Sequence, residues 1–94
     1  MLLSKIFQKE YQLFNTANEL FQKNSFKKSF LLLEEVINLN DKHAEAYFLM
    51  GNIFHIQGEL GKAVKAFNKV LELDDNHTDA SISLSVILND IGKY

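Results

Sequence analysis

Residues 44–77 read AEAYFLMGNIFHIQGELGKAVKAFNKVLELDDNH, and this stretch decides the fold. It divides at Gly58 into two runs in which apolar residues return every three or four positions. That spacing predicts a pair of amphipathic α-helices, because it places apolar side chains on one face of each helix. Gly58 is suited to end the first helix, since glycine tolerates the left-handed conformation that follows many helix ends.

The same pattern also occurs earlier in the chain, at a constant spacing. Seven pairs of identical residues are separated by 34 positions: Phe14 and Phe48, Asn18 and Asn52, Lys28 and Lys62, Val36 and Val70, Leu39 and Leu73, Asp41 and Asp75, and His43 and His77. A second shift by the same spacing continues the register through Ala46 and Ala80, Ile53 and Ile87, and Gly58 and Gly92. Internal periodicity of this kind indicates a repeat architecture. We therefore divide the chain into an N-terminal extension of the first helix (1–9), two complete units (10–43 and 44–77) and a half unit (78–94).

Each unit is interpreted as two helices joined by a short turn, so the fold class is an all-α solenoid of antiparallel helix pairs. The predicted helices are 4–23, 26–39, 44–57, 61–73 and 78–91. Ser25, Asn40-Asp41 and Asp74-Asp75-Asn76 are candidates for helix N-caps, because short polar side chains accept hydrogen bonds from free N–H groups. His43 and His77 occupy equivalent places near helix starts and are expected either to cap or to face solvent.

Composition excludes several classes of function. The 94 residues carry a net charge of −2, so the chain as a whole does not attract a polyanion such as a nucleic acid. The chain has no cysteine, which excludes a thiolate metal site. The adjacent pairs Glu34-Glu35 and Asp74-Asp75 diverge around a helix or turn, and the glycines match no phosphate-binding loop. We expect no enzyme activity, cofactor, metal site or nucleic-acid partner. The longest aliphatic-aromatic run, Phe30–Leu33, is too short to span a membrane, so a cytoplasmic location is expected.

A helix–turn–helix unit of about 34 residues with this pattern resembles the tetratricopeptide repeat. The positions that carry the resemblance in the second unit are Tyr47, Met50-Gly51, Phe54, Ala63 and Phe67. The first unit has Leu13, Thr16-Ala17, Leu20, Ser29 and Leu33 there, and the half unit has Ser81, Leu84-Ser85 and Leu88. Small residues are expected where the two helices of a unit cross. The chain departs from the family by placing Asp41 and Asp75 where proline is common, and an acid there is expected to cap the next helix.

The resemblance implies a protein–protein interaction module whose first helices jointly wall a concave groove. The groove positions carried over to this chain are Tyr11, Phe14, Asn18, Phe21, Glu45, Phe48, Asn52, His55, Ile82 and Val86. This set implies an apolar-anchored peptide or helix as the ligand, with lysine or arginine near Glu45, Asp79 and Asp90. Phe14 and Phe48 are equally suited to packing between helices. The lysines of the second helices are expected to cover the solvated convex surface.

One known role within the family is disfavoured by the residues themselves. Family members that bind the acidic tails of heat-shock chaperones use a carboxylate clamp of Lys, Asn, Asn, Lys and Arg. The matching positions here hold Phe14, Asn18, Leu49, Asp79 and Ser83, so a single position agrees. Asp79 would repel a carboxylate, and we expect no binding of such tails.

The half unit suggests further alternatives. Leu84, Leu88 and Ile91 form a stripe that the second helix of a complete unit would cover, so this face is a candidate for self-association into a homo-oligomer. The exposed stripe would also be explained if the chain were part of a longer array of repeats, or a regulatory segment of a larger enzyme. A further alternative is that the apolar start of the chain folds back over exposed surface; its residues are Met1, Leu2, Leu3, Ile6 and Phe7.

Overall fold

A computed structural model describes residues 2–92, and every regular element in that range is an α-helix. The helices are α1 (Leu2–Gln22), α2 (Phe26–Leu39), α3 (Ala44–Ile56), α4 (Leu60–Leu73) and α5 (Thr78–Ile91). The all-α prediction is confirmed. The predicted bounds of α2 and α5 agree with the structure. Helix α1 differs by two residues at its start and one at its end, and α3 and α4 each differ by one residue at one end.

The helices follow one another as an elongated stack of 52 × 28 × 17 Å. The pairs α1–α2 and α3–α4 form hairpins, α2 packs on α3, and α4 packs on α5. Each helix therefore contacts its neighbours in the chain, which is the arrangement of a solenoid.

The buried residues form two clusters, and each cluster is shared between a hairpin and the helix that follows it. Ala17, Leu33 and Val36 of the first hairpin pack with Leu49 and Ile53 of α3. In the second cluster, residues of α4 pack with residues of α5; its members are Ala63, Phe67, Val70, Ala80 and Ile87. The first helix of each unit thus completes the core of the unit before it, so neighbouring hairpins are held at a fixed distance by apolar burial.

The two hairpin turns have the same backbone geometry. Asn24 and Gly58 hold equivalent places in the two units, and both have positive φ, 63° and 78°. In each turn the next residue donates a backbone hydrogen bond to the carbonyl five positions earlier, Ser25 to Leu20 at 2.8 Å and Glu59 to Phe54 at 2.9 Å. These are Schellman motifs, which use a left-handed residue to satisfy the last carbonyls of a helix. The prediction that Gly58 ends its helix is confirmed.

The predicted polar side-chain caps are wrong. Ser25 stands at the N-cap of α2 but makes no side-chain cap hydrogen bond. The caps of α3 and α5 are His43 and His77, whose Nδ1 atoms accept from the N–H groups of Ala46 and Ala80, both at 3.1 Å. One of the two expected roles of these histidines is thereby confirmed.

The acidic and amide residues before α3 and α5 close the turns instead of capping the helices. Asn40 Oδ1 accepts from the backbone N–H of Lys42 at 3.0 Å, and Asp74 Oδ1 accepts from that of Asn76 at 3.1 Å. In each case the side-chain oxygen accepts from the backbone N–H two residues later, within the turn. The side chains of Asn40 and Asp74 are therefore too far from the start of the next helix to cap it.

The apolar start of the chain does not fold back. Helix α1 is continuous from Leu2, and Leu2, Leu3 and Phe7 are largely exposed along it. Met1, which belongs to the same prediction, lies outside the described residues, as do Lys93 and Tyr94.

Candidate functional site

The first helices of the units lie side by side and are joined by ring contacts. The Phe14 ring of α1 stacks on the ring of His43, which begins α3, with a centroid distance of 4.7 Å. The Phe48 ring of α3 stacks in the same way on His77, which begins α5, at 4.9 Å. These equivalent contacts align α1, α3 and α5 as one wall of the solenoid.

Each of these histidines also faces a carboxylate of the preceding first helix. His77 Nε2 lies 2.6 Å from Glu45 Oε1, and His43 Nε2 lies 3.7 Å from Glu10 Oε2. Because Nδ1 accepts the cap hydrogen bond, the proton of the neutral ring is on Nε2, and that of His77 can donate to Glu45. Glu45 is therefore engaged within the chain. His43 is too far from Glu10 for a hydrogen bond, and Glu10 Oε2 instead accepts from Asn40 Nδ2 at 3.0 Å.

Several predicted groove residues are half-buried by contacts between helices. Phe48 packs against Phe67 of α4 with ring centroids 5.7 Å apart, in addition to its contact with His77. Phe21 packs edge-on against Phe26 of α2 at 5.4 Å. Phe14 and Phe21 both border the first core cluster. The structure thus gives these rings a packing role, whatever part they play in binding.

Other predicted groove residues face solvent. Tyr11 is 68% exposed, Ile82 57% and Val86 47%. Ile82 holds the same repeat position as Phe14 and Phe48, but within residues 2–92 no histidine ring covers it. The remaining predicted residues are half-buried: Asn18, Asn52 and His55. Exposed apolar side chains therefore remain at both ends of the wall.

The residues predicted for self-association differ in their surroundings. Leu88 and Ile91 are exposed, whereas Leu84 packs against the second core cluster. A substitution at Leu84 would therefore disturb the fold, while Leu88 reports on the surface alone.

Two negative findings apply to the part of the chain that the structure describes. No set of three or more metal-binding side chains converges between residues 2 and 92. Over the same residues, each helix is too short or too polar to cross a bilayer.

The comparisons with known proteins agree with this geometry. The profile of the tetratricopeptide repeat family matches residues 44–77. Residues 44–77 are a tetratricopeptide repeat (TPR). The preceding pair, α1 and α2, forms a hairpin with the same turn geometry, so the resemblance of the fold extends beyond the matched residues.

A curated protein is similar to this chain in sequence, and a solved structure is similar to it in fold. The BBSome complex member BBS4 of Bos taurus is 25% identical over 92 residues, which are 97% of this chain and 18% of that protein. The chain therefore spans less than a fifth of the length of the curated relative it matches. The first TPR of Spaghetti (RPAP3), solved with the HSP90 peptide SRMEEVD, superimposes with a TM-score of 0.59 at 18% identity. That match covers 90% of this chain and 94% of the other, and it shows the TPR fold.

The sequence analysis missed a second group of side chains, on α2, α3 and α4. Lys27, Phe30, Leu31, Phe54 and Lys62 line one cleft, although the lysines were expected to be plain solvated surface. The signal that could have revealed it is Leu31, an apolar residue on the lysine-bearing side of α2. Glu10, whose carboxylate lies near the ring of His43, was also missed. It occupies the first position of its unit, which is not one of the groove positions.

Proposed function

We propose that this helical-repeat protein is a non-catalytic interaction module that binds an apolar-anchored peptide or helix along the wall formed by α1, α3 and α5. The observation that carries the proposal is the exposure of Ile82 at 57%, at a repeat position whose other members are covered. Val86 and Tyr11 extend this apolar surface. Burying one such side chain fully contributes about 1.5–3 kcal/mol, so a ligand that covers several gains substantial affinity.

The charges of α3 and α5 favour a neutral or basic ligand along their part of the wall. Helices α3 and α5 carry Glu45, Asp79 and Asp90 and no lysine. Because Glu45 is engaged by His77, Asp79 is the better placed of the first two to meet a ligand cation.

The structural neighbour binds a different class of peptide. Its ligand, SRMEEVD, carries two glutamates and an aspartate. At the clamp positions of this chain, Leu49 is buried in the core and Asp79 is an acid. The neighbour therefore supports peptide binding by the fold, and the side chains here support a ligand without an acidic tail.

The curated relative bears on the larger context. BBS4 is named as a member of a complex, which fits an interaction module that serves in a multi-protein assembly. Since the chain matches 18% of that protein, the assembly is part of the proposal and not a property transferred from the relative.

The groove is tested best through its exposed residues, because alanine at Phe14 or Phe48 would also remove packing. We would select binders from a displayed peptide library and measure their affinity for Ile82→Asp. We expect binders with large apolar residues, some with Lys or Arg, whose affinity falls at least about tenfold in this variant.

Leu31→Asp is the matched control, since Leu31 is 55% exposed on α2 and lies outside the wall. Circular dichroism should show unchanged helicity in both variants. Equal binding to wild type and Ile82→Asp by every selected peptide would refute the groove.

Self-association is a second candidate, favoured by the exposure of Leu88 and Ile91 on α5. Light scattering over a concentration series would detect it. A dimer that is lost in Leu88→Asp and retained in Ile82→Asp would support this candidate, and a monomer at every concentration would exclude it.

A further inference from the structure

A cleft of about 480 Å³ lies among α2, α3 and α4, away from the wall of first helices. We call it the lysine cleft and define it by Lys27, Phe30, Leu31, Phe54 and Lys62, which contribute to its lining. Its volume falls in the range of about 300–1,000 Å³ that is usual for ligand pockets. A smaller cleft of about 290 Å³ shares Phe54 and Lys62 with it, so the two form one continuous surface.

Helix geometry places this surface opposite the wall. At about 100° per residue, the mean direction of Tyr47, Met50 and Phe54 on α3 differs by about 150° from that of the groove positions of the same helix. A ligand on the lysine cleft would therefore leave the groove free. The proposal that follows is independent of the proposed groove function.

The surface has an apolar floor. The Phe30 and Phe54 rings meet edge to face with centroids 5.3 Å apart, which fixes their orientation. Leu31 stands beside them with 55% of its surface exposed. Tyr47 and Met50 continue the floor into the smaller cleft.

The edges of the surface are cationic. Four lysines and one carboxylate line the two clefts: Lys27, Lys62, Lys65, Lys69 and Glu59. Lys62 Nζ lies 3.2 Å from Glu59 and 5.8 Å from the centre of the Phe54 ring. Lys69 Nζ lies 5.9 Å from the centre of the Tyr47 ring. These positions hold ammonium groups over aromatic faces, at the border of the apolar floor.

We propose that the lysine cleft and its continuation dock an acidic amphipathic helix of a partner protein. Large apolar side chains of that helix fill the cleft beside Leu31, and its Asp or Glu residues meet the surrounding lysines. Lys62 is paired with Glu59 and Lys69 with Glu72, at 3.2 and 3.8 Å. The excess of four lysines over these two carboxylates provides the charge complementarity. A nucleic acid fits less well, because the floor is apolar and Glu59 stands among the lysines.

The test is a selection with a displayed library of amphipathic helices of about four turns, carrying either acidic or basic flanks. We expect the acidic helices to contain binders that lose at least about tenfold in affinity on Leu31→Asp and keep it on Ile82→Asp. For these binders, Lys27→Glu combined with Lys62→Glu should weaken binding and remove most of its salt dependence.

Chemical-shift mapping locates the bound helix. Amide signals of Phe30, Phe54 and Lys62 should move on titration, while those of Phe48 and Asn52 stay in place. A library without any acidic binder sensitive to Leu31→Asp would overturn the proposal. So would enrichment of basic helices, or a single-stranded oligonucleotide that binds in a Leu31-dependent manner and displaces the selected helix. Loss of the groove binders on Ile82→Asp would leave this result unaffected.

Discussion

The two hairpins build the same helix crossing from different side chains. In the first hairpin Ala17 and Leu33 occupy the crossing positions, and in the second Gly51 and Phe67 occupy them. A methyl group added at Gly51 would lie 2.7 Å from a carbon of the Phe67 ring. The hairpin with the larger side chain on its second helix, Phe67, has the smaller residue, Gly51, on its first helix. The hairpin with the smaller Leu33 has the larger Ala17 there. This pattern indicates that the fold requires a total volume at the crossing and not one residue type.

The hairpins also differ in the polarity of this crossing. Ser29 Oγ donates a buried hydrogen bond of 2.7 Å to the carbonyl of Ala17, across α1 and α2. The equivalent residue of the second hairpin is Ala63, which packs without a hydroxyl. A buried hydrogen bond therefore joins the helices of the first hairpin at this point, whereas the helices of the second are joined by apolar packing of the Phe67 ring.

The largest expected effect comes from breaking the volume match. Gly51→Ala should lower the free energy of unfolding by about 1–3 kcal/mol, because the buried Phe67 ring cannot move aside without cost. Gly51→Ala with Phe67→Leu copies the first hairpin and should recover part of that loss. Thermal and urea unfolding of the two single variants and the double variant would measure the coupling.

The reverse exchange is the control for this cycle. Leu33→Phe should destabilise the first hairpin, and Ala17→Gly should offset part of the loss. Additive effects in both cycles would contradict the idea that the two pairs are matched by volume.

A smaller effect is expected at the turns, where Gly58 and Asn24 adopt the left-handed conformation in equivalent places. No atom lies within 4 Å of a Cβ built on Gly58, so Gly58→Ala tests the backbone alone. We expect a loss of about 1–2 kcal/mol. Gly58→Asn copies the first turn and should cost less, since asparagine tolerates this conformation better than alanine.

Denaturant unfolding would rank these variants. Gly61→Ala is a suitable control, because Gly61 is also exposed and open at its Cβ but has no positive φ. Equal losses for Gly58→Ala and Gly58→Asn would argue against the backbone explanation.

The smallest effect is expected at the histidine caps. His43→Ala and His77→Ala should each reduce stability by about 0.5–2 kcal/mol through loss of the cap. His43→Asn and His77→Asn keep an acceptor at the cap and should recover part of it, so the remainder measures the ring contact with Phe14 or Phe48. Thermal unfolding with His55→Ala as the control would separate these contributions, and no recovery by asparagine would show that the ring, not the cap, matters.

The helix pattern could be predicted from sequence because the apolar spacing and the period of the internal repeat point to the same elements. Helix α2 from Phe26 to Leu39 and helix α5 from Thr78 to Ile91 were both obtained with their observed bounds. The caps were not, since residue preference favoured Asn40 and Asp74, and the choice between capping and closing a turn depends on where the backbone turns.

The candidate site was less accessible to sequence reasoning. The repeat register gives the wall positions, but it cannot show that the histidine at the end of each complete unit covers Phe14 or Phe48, while Ile82 remains exposed. The lysine cleft was missed for a similar reason. Lys27 and Lys62 come from different hairpins, and their approach to the same rings follows from the stacking of units.

The junction between the units has a consequence for how such a chain can lengthen. His77 ends the second unit and accepts from the third residue after it, as His43 does one unit earlier. If residues 44–77 were duplicated in tandem, His77 would precede Ala44 again, and Glu45 and Phe48 of the first copy would already be beside its ring. The cap, the ring contact and the carboxylate contact of the junction would thus be present at a duplicated boundary, so gene duplication can extend the array with the junction already built.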